Sequence, residues 1–312
     1  MKRILALLLL ALFLAGCAKP VEQPPTTAPT VPTTAPTVPT TVPTTAPTQP
    51  FTGFLKEGEN TYYINVDGSR HTGWLELNGT RYYLNENGIL QTGWLKLDGQ
   101  EYYLKEDGSI TRGKLELGTN VYYFTSSGAK ILLVNPWHFV PSDYTVDLVE
   151  VEEWLVDRAC AESLDKMLKD CRKAGFDARI CSSYRLQSTQ ISLYNNKVNY
   201  YLDLGYDPAT ARTEAAKVIA IPGTSEHQLG LAVDLVDNSY WCLDHIQETM
   251  PAQKWLMEHC WEYGFILRYP NNKTDITGII YEPWHYRYVG VAVAMELKNS
   301  GMCLEEYLNS LQ

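Results

Sequence analysis

Basic residues are scarce in this sequence. Its 312 residues contain 26 Lys and Arg against 36 Asp and Glu, which gives a formal net charge of −10. No block of Lys or Arg occurs after Arg3. Nucleic-acid binding and electrostatic docking on anionic lipid both rely on such blocks, so the composition argues against both functions.

Long apolar runs are also scarce. Ile4 to Leu14 is apolar throughout, but it is shorter than the about 20 residues that a membrane-spanning helix requires. Lys2 and Arg3 precede this run and small residues follow it, a pattern typical of an export signal. Leu14-Ala15-Gly16-Cys17 resembles a bacterial lipobox, which implies cleavage before Cys17 and stable anchoring through lipids on its thiol. The alternative is an ordinary signal peptide with an incidental cysteine.

Cysteines are few, and six of the seven follow Cys17. An even number in an exported chain allows disulfides, but the sequence leaves their pairing open. Cys160 and Cys171 lie on one predicted helix about 16 Å apart, so they cannot bond to each other. Cys242-x-x-His245 with His259-Cys260 is an alternative structural zinc site. Because these two halves lack the usual paired spacing, we predict ordinary surface histidines there.

Residues 19–50 contain almost only Pro, Thr, Ala and Val. Ten of the seventeen prolines lie in this segment, and the unit Thr-Thr-Ala-Pro-Thr-Val-Pro begins at Thr26 and again at Thr33. Such a segment cannot build a core and stays extended, so we predict a semi-rigid spacer. A mucin-like glycosylated stalk is the alternative.

A 20-residue repeat follows the linker. Its units carry the triplets Thr52-Gly53-Phe54, Thr72-Gly73-Trp74, Thr92-Gly93-Trp94 and Arg112-Gly113-Lys114. Tyr-Tyr pairs begin at 62, 82, 102 and 122, and turn pairs begin at 67, 87, 107 and 127. A strand, a tight turn and a Tyr-Tyr strand predict a hairpin. Because one hairpin cannot bury its aromatic face, we expect the hairpins to stack into a solenoid.

These units resemble the choline-binding type of cell-wall-binding repeats of Gram-positive surface proteins. In that family, aromatic side chains of successive repeats form cages for the quaternary ammonium group of choline. Choline binders usually carry an aromatic residue before the Tyr-Tyr pair, where this chain has Thr61, Arg81, Glu101 and Val121. We therefore expect a wall polysaccharide or teichoic acid as ligand, bound by Trp74, Trp94, Tyr82, Tyr83, Tyr102 and Tyr103. The alternative is that these aromatics form only the solenoid core of a spacer.

Two imidazoles and a carboxylate suited to a metal ion lie in the C-terminal half. His227 and Asp234 stand in the segment from Ser225 to Asp234, and His285 ends the segment Glu282-Pro283-Trp284-His285. Two His and one Asp around an open position suit a catalytic zinc ion, and Glu282 is placed for a general base. The same three ligands could form the facial triad of non-haem iron oxygenases. That alternative would leave Glu282 without a role.

Helices and short strands alternate over residues 132–312. Apolar residues predict one helix face from Leu164 to Cys171, ended by Gly175. We predict further helices at Gln190 to Leu204, after the cap Asp207-Pro208, and from Pro251 through Trp261 to Gly264. We predict strands at Ala178 to Ile180 and Leu231 to Val236, and a closing hairpin of Phe265 to Tyr269 with Ile279 to Tyr288.

From about residue 131 onward the chain resembles the VanY-type zinc D-alanyl-D-alanine carboxypeptidases of the LAS metallopeptidase group. The matching segments are Leu133-Val134-Asn135, Pro141 to Tyr144, Ser183-Tyr184-Arg185, Ser225-x-His227-x6-Asp234, Gly264 to Pro270 and Glu282 to Gly290. The resemblance implies an α+β fold of the hedgehog/DD-peptidase type, with helices around a small antiparallel sheet that carries zinc. It also implies His227, Asp234 and His285 as zinc ligands and Glu282 as the catalytic base and acid.

The same resemblance implies substrate contacts. In the family, the Arg of the Ser-Tyr-Arg segment and a Gln five residues later face the substrate, which points to Arg185 and Gln190. A guanidinium group suits the terminal carboxylate or the oxyanion of the substrate. Ser225 is expected to hydrogen-bond the peptide. Tyr184 and Trp284 either wall the cleft or serve in packing.

These inferences predict a zinc carboxypeptidase that removes the C-terminal D-Ala from peptidoglycan stem peptides. We expect it at the extracellular face of the cytoplasmic membrane, held by a lipid anchor and attached to a cell-wall polymer. The alternatives are an L,D-carboxypeptidase acting on tetrapeptide stems and a non-catalytic wall-binding protein. The expected parts are a signal peptide (1–17), a linker (18–50), wall-binding repeats (51–131) and a carboxypeptidase domain (132–312).

Overall fold

A computed structural model describes residues 51–97 and 99–311 of the chain. The predicted export signal, the lipidation site at Cys17 and the Pro/Thr-rich linker lie outside these residues. Hairpins occupy the first part of the described chain, and a mixed module of helices and short strands occupies the second.

Four antiparallel hairpins form the repeat module, as predicted. In each of them a five-residue strand that begins at the glycine of the triplet pairs with the following Tyr-Tyr strand, as Trp74 pairs with Tyr83. A short ninth strand pairs with the last hairpin. The strands are β1 (Gly53–Glu57), β2 (Asn60–Ile64), β3 (Gly73–Leu77), β4 (Thr80–Leu84), β5 (Gly93–Leu97), β6 (Gln100–Leu104), β7 (Gly113–Leu117), β8 (Asn120–Phe124) and β9 (Lys130–Ile131).

The predicted turn pairs lie outside the hairpins rather than between their strands. Asp67-Gly68 follows the Tyr-Tyr strand β2, where the N–H of Gly68 donates to the carbonyl of Asn65 at 2.9 Å. The turn inside the first hairpin contains Gly58, which adopts a positive φ of 62°. Only two residues separate the paired strands, so the hairpin needs this tighter turn. Each unit therefore has two turns, and the second leads the chain toward the next hairpin.

Stacking of successive units buries one apolar face of the hairpins. Leu84, Leu104 and Phe124, which end successive Tyr-Tyr strands, are almost fully buried. Backbone hydrogen bonds also link neighbouring units. For example, the N–H of Leu90 in the second unit donates to the carbonyl of Thr61 in the first unit at 2.8 Å. The solenoid is therefore held by both apolar burial and main-chain bonds.

The second module contains six further strands and seven helices among the described residues. The strands are β10 (Leu148–Val151), β11 (Trp154–Asp157), β12 (Ala178–Ser182), β13 (Ala232–Asp237), β14 (Phe265–Leu267) and β15 (His285–Tyr288). The helices are α1 (Arg158–Lys173), α2 (Gln187–Asp203), α3 (Pro208–Val218), α4 (Pro251–His259), α5 (Thr274–Thr277), α6 (Val291–Ser300) and α7 (Leu304–Ser310).

The central sheet of this module has the order β12-β13-β15-β14 and is antiparallel throughout. Val233, Leu235 and Tyr286 point to one face of the sheet and pack with the apolar residues of α1, including Leu164 and Leu168. Because side chains alternate along a strand, Asp234 on β13 points to the other face. The α+β fold with a small antiparallel sheet is confirmed.

The predicted elements agree with the structure in type but differ in length. The helix that begins at Pro251 ends at His259 and continues as a 3-10 turn to Tyr263. The closing hairpin pairs β14 with β15, but β15 begins only at His285. Pro283 has no N–H to donate to the ladder, which keeps the residues before it out of the strand.

The last repeat packs directly on the second module. Tyr123 belongs to a buried cluster with Val293, Leu304 and Tyr307 of the C-terminal helices. The hydroxyl of Ser126 donates to Glu296 at 2.6 Å. The repeats and the second module therefore form one compact unit.

Membrane-spanning helices are not found in the described chain, where no helix combines the length and apolar character needed to cross a bilayer. The six cysteines after Cys17 are free thiols, and Cys160 and Cys171 both lie on helix α1, as predicted. Cys242, His245, His259 and Cys260 are not among the residues that the described structure gathers into a group able to hold a metal.

Substitution of Gly128 tests how tightly successive repeats are packed against each other. Gly128 has a φ of +87°, and an added Cβ would lie 2.1 Å from Cδ1 of Ile110. Gly128→Ala should therefore lower the free energy of unfolding by about 2–4 kcal/mol, from backbone strain plus overpacking. Urea denaturation measures this change.

Gly118→Ala is the matched control. Gly118 has a φ of +62° but no neighbour within 4 Å of the added Cβ, so only the backbone strain of about 1 kcal/mol applies. Equal losses in the two variants would contradict tight packing between the third and fourth units.

Candidate active site

Three predicted metal ligands meet on the face of the sheet that points away from α1. Asp234 on β13 lies directly opposite His285 on β15, and His227 comes from the 3-10 turn Glu226–Leu229. One potential ligand atom from each of these buried residues lies within 4.8 Å of the other two. Residues far apart in sequence thus form one cluster because two strands pair and one loop folds over them.

The ring of His227 is oriented by the backbone. Its Nδ1 lies 2.8 Å from the carbonyl oxygen of Ser183, which can only accept a hydrogen bond. Nδ1 therefore carries the proton, and the lone pair of Nε2 faces Oδ2 of Asp234 at 3.3 Å. A histidine held in this way presents Nε2 to a metal ion.

The ring of His285 faces Asp234 with Nδ1, whereas the ring of His227 faces it with Nε2. Its Nδ1 lies 3.1 Å from Oδ1 of Asp234, and its Nε2 lies 3.5 Å from Oε2 of Glu226. Neither Nε2 of His285 nor Oε2 of Glu226 has a hydrogen-bond partner within the described structure. If Nδ1 binds a metal ion, Nε2 must carry the proton, and Glu226 stands where the acceptor is needed.

The donor set fits a divalent metal ion. Burial favours the neutral form of Asp234, but the imidazoles of His227 and His285 hold the pKa of this carboxyl below its usual range. Two imidazole nitrogens and one carboxylate are ligands that suit zinc. His227 Nε2, Asp234 and His285 Nδ1 would hold the ion.

A buried charge cluster lies next to His285, on the side of its Nε2. Arg268 and Arg287 are fully buried, and each donates to Oε1 of Glu226 at 2.8 Å. Arg268 also donates to Glu305 on α7 at 2.7 and 2.9 Å. Although burial opposes ionisation, the two guanidinium groups hold the pKa of Glu226 well below its usual range. Glu226 therefore remains a carboxylate in the interior.

The sequence patterns gave no role to Glu226, Arg268 or Arg287. A signal existed, because Arg268 and Arg287 stand in stretches that are otherwise apolar or aromatic. A buried charge is costly unless it is paired, so such arginines indicate hidden acidic partners. The pattern does not reveal which acid is the partner, since Glu226 and Glu305 are distant in sequence.

Glu282 lies beside this cluster in the turn before β15. Its Oε2 is 3.8 Å from Nδ1 of His285, and its backbone N–H donates to the carbonyl of Tyr269 at 3.2 Å. Burial raises the pKa of Glu282 to about 8; the positive charge of His285 opposes this shift and the negative charge of Asp234 adds to it. A carboxyl group of this kind readily exchanges protons near neutral pH.

A cavity of about 220 Å³ opens over these side chains. Of the predicted substrate residues, Arg185, Ser225 and Trp284 line it, whereas Tyr184 does not. Gln190 is buried behind Arg185: its Oε1 accepts from Nη1 of Arg185 at 2.9 Å. Ser182 accepts a second hydrogen bond from Arg185 at 2.8 Å, so the guanidinium group is fixed in the cavity wall.

Two tryptophans of the repeats have cationic side chains of the chain itself over their rings. Arg81 lies 4.2 Å from the ring centroid of Trp74, which packs edge-on against Tyr102. Lys130 lies 5.4 Å from the centroid of Trp94 and bonds to Glu101 at 2.6 Å. Arg81 and Glu101 occupy the position where choline binders have an aromatic residue.

Sequence comparison identifies the relatives of this chain. The VanY family profile, described as D-alanyl-D-alanine carboxypeptidase, matches residues 153–291. A choline-binding repeat profile matches residues 91–137, and a cell wall binding repeat profile matches 52–69 and 72–90. A D-alanyl-D-alanine carboxypeptidase of Enterococcus faecalis is 41% identical over 182 residues, which are 58% of this chain and 66% of that protein. The chain thus spans just under two thirds of that relative.

Solved structures extend the likeness to the fold. The D,D-pentapeptidase VanY of a VanB-type resistance cassette, in complex with Zn(II), is 40% identical with a TM-score of 0.52; the match covers 57% of this chain and 98% of that chain. The LdcB LD-carboxypeptidase is 32% identical with a TM-score of 0.51, covering 58% and 86%. These matches define a zinc carboxypeptidase domain joined to wall-binding repeats. The chain belongs to the VanY family, and the zinc prediction is confirmed.

Substitution of Glu226 tests whether its carboxylate contributes to zinc affinity by orienting His285. Glu226→Gln should raise the dissociation constant for zinc about 10–100-fold, because the carboxylate that orients His285 is lost. Competition with a chromophoric chelator measures this constant in the purified protein.

Glu305→Gln is the matched control, because it also removes a buried partner of Arg268 but does not touch His285. We expect this variant to keep the zinc affinity of the unaltered chain, even where its free energy of unfolding falls. Equal loss of zinc affinity in both variants would mean that the cluster acts only on stability.

Proposed function

We propose that this protein removes the C-terminal D-Ala from peptidoglycan stem peptides ending in D-Ala-D-Ala. The observation that carries this proposal is the convergence of His227, Asp234 and His285 within 4.8 Å, with Glu282 buried beside them. Membership of the VanY family supports the substrate. The cavity is small, which suits the end of a peptide rather than an internal segment.

Glu282 is the proposed proton carrier of the reaction. Zinc, when bound, polarises the scissile carbonyl and lowers the pKa of a coordinated water. Glu282 accepts a proton from the attacking water and then donates it to the amine of the leaving D-Ala. Glu282 must therefore hold the proton between the two steps.

Arg185 is the proposed partner of the substrate's terminal carboxylate. A guanidinium group binds a carboxylate through paired, charge-assisted hydrogen bonds. The contacts with Gln190 and Ser182 hold the guanidinium in place, so we assign Gln190 a positioning role. Ser225 and Trp284 line the same cavity and are proposed to contact the peptide.

An L,D-carboxypeptidase that acts on tetrapeptide stems is the second candidate. The likeness to the LdcB LD-carboxypeptidase supports it, because that structure matches the same module of this chain. The two activities need the same zinc chemistry. They differ in the residue before the scissile bond, which is a D-residue in the pentapeptide stem and an L-residue in the tetrapeptide stem.

Incubation with purified muropeptides separates the two activities. We expect release of D-Ala from the pentapeptide stem, loss of this activity after chelation, and its recovery on adding zinc. Release from the tetrapeptide alone would favour the L,D activity. A zinc-loaded protein that cleaves neither stem would instead support a non-catalytic wall-binding protein.

Glu282→Gln should reduce turnover of the pentapeptide by about 10²–10⁴-fold, because the amide cannot carry the proton. Zinc content should stay unchanged, since Glu282 is outside the proposed ligand set. His227→Ala should lose both zinc and activity. Glu258→Gln, which changes an exposed acid on α4, is the control and should behave as the unaltered chain.

At the cell surface, we propose that lipid on Cys17 anchors the protein, with residues 18–50 as spacer and residues 51–131 holding a wall polymer. The lipobox-like segment and the repeat profiles support this arrangement. Arg81 and Lys130 over the two tryptophans favour a polymer other than one bearing choline. Labelling with radioactive palmitate should mark the full chain but not Cys17→Ser, and equal labelling would contradict the anchor.

A further inference from the structure

The loop that joins the repeats to the catalytic module exposes two large aromatic side chains. Trp137 is 61% exposed and Phe139 is 62% exposed. They line a groove of about 910 Å³, and Trp94 of the third repeat, itself 47% exposed, also lines this groove. Exposed aromatic side chains gathered on one concave surface mark binding sites more often than chance exposure does.

The backbone of this loop is fixed, although the two side chains are exposed. Asn135 and His138 exchange backbone hydrogen bonds at 3.0 and 3.1 Å, and the ring of His138 bonds to the hydroxyl of Tyr123 at 3.0 Å. The side chain of Asn135 also donates to Glu305 at 3.0 Å. Trp137 and Phe139 are therefore held in place at low entropic cost, as a preformed binding surface requires.

Chain segments that line the metal cavity also pass beside the two exposed aromatic side chains. Phe139 lies against Gly223, where an added Cβ would be 3.2 Å from the Phe139 ring, and Ser225 two residues later lines the cavity. Trp137 lies in the same way beside Gly278, and Ile279 next to it lines the cavity. The two aromatic rings thus lie beside glycines that are one or two positions from residues lining the catalytic pocket.

We propose that this groove binds the glycan strand that carries the stem peptide, with Trp137 and Phe139 stacking on its N-acetylated amino sugars. The proposal rests on the proposed carboxypeptidase function, because the occupant is the rest of the same substrate. An extended five-residue stem spans at most about 17 Å, so its sugar must lie close to the cavity that holds its end.

The charges of the groove favour a neutral polymer. Lys130 is paired with Glu101, and Asp143 adds a further negative charge. A polyanion such as teichoic acid would meet no free cation there. Aromatic rings offer flat apolar faces that match the apolar faces of pyranose rings, and a stem-bearing amino sugar has no charge on its own ring.

The test compares one peptide with and without its sugar. The unaltered protein should show a KM for disaccharide-pentapeptide about tenfold below that for the free pentapeptide, because it gains aromatic stacking. The Trp137→Ala/Phe139→Ala variant should lose this advantage and keep the same kcat and KM for the free pentapeptide. Tyr200→Ala, which removes an exposed aromatic on α2 outside the groove, should keep the advantage.

Equal KM values for the two substrates in the unaltered protein would overturn the proposal. So would a double variant that weakens both substrates alike, because the rings would then shape the pocket rather than bind sugar. If neither substrate is cleaved, the proposed function fails, and titration with N-acetylglucosamine oligomers still decides the sugar site. Quenching of tryptophan fluorescence by the oligomers in the unaltered protein but not in Phe139→Ala, which keeps all eight tryptophans, supports the sugar site, and equal quenching in the two proteins contradicts it.

Discussion

The pairing of Glu226 with two buried arginines is the constraint on which the site depends. Arg268 and Arg287 would be very costly in the interior if Glu226 and Glu305 did not neutralise them. Together they fix the carboxylate that faces Nε2 of His285. This arrangement decides which nitrogen of His285 is free to bind a metal ion, so the electrostatics of the core set the chemistry of the surface cavity.

The same cluster connects the ends of the module. Arg268 follows β14, Arg287 is on β15, and Glu305 is on the C-terminal helix α7. Glu305 also accepts from Asn135, which orders the loop that bears Trp137 and Phe139. One network of charged and polar groups therefore supports the proposed metal ligands on one side and the aromatic loop on the other. The last repeat packs against α7, so the repeats are also attached to the helix that carries Glu305.

Sequence spacing predicted much of the fold, and the misses have physical causes. The helix face from Leu164 to Cys171 and the cap at Asp207 were predictable because each depends on neighbours along the chain. The start of β15 at His285 was missed, because Pro283 limits strand pairing and a hydrophobic pattern does not express this limit. The two turns of each repeat look alike in sequence, and only strand pairing separates them.

The sequence by itself determined the chemistry available: two imidazoles, a carboxyl group, a further acid and a periodic array of aromatics. Tertiary structure decided which atoms face one another, because β13 and β15 pair Asp234 with His285 while the turn at Glu226 brings in His227. It also turned Gln190 toward Arg185 and placed cations over Trp74 and Trp94. Such contacts join residues remote in sequence, and their geometry follows from packing in three dimensions.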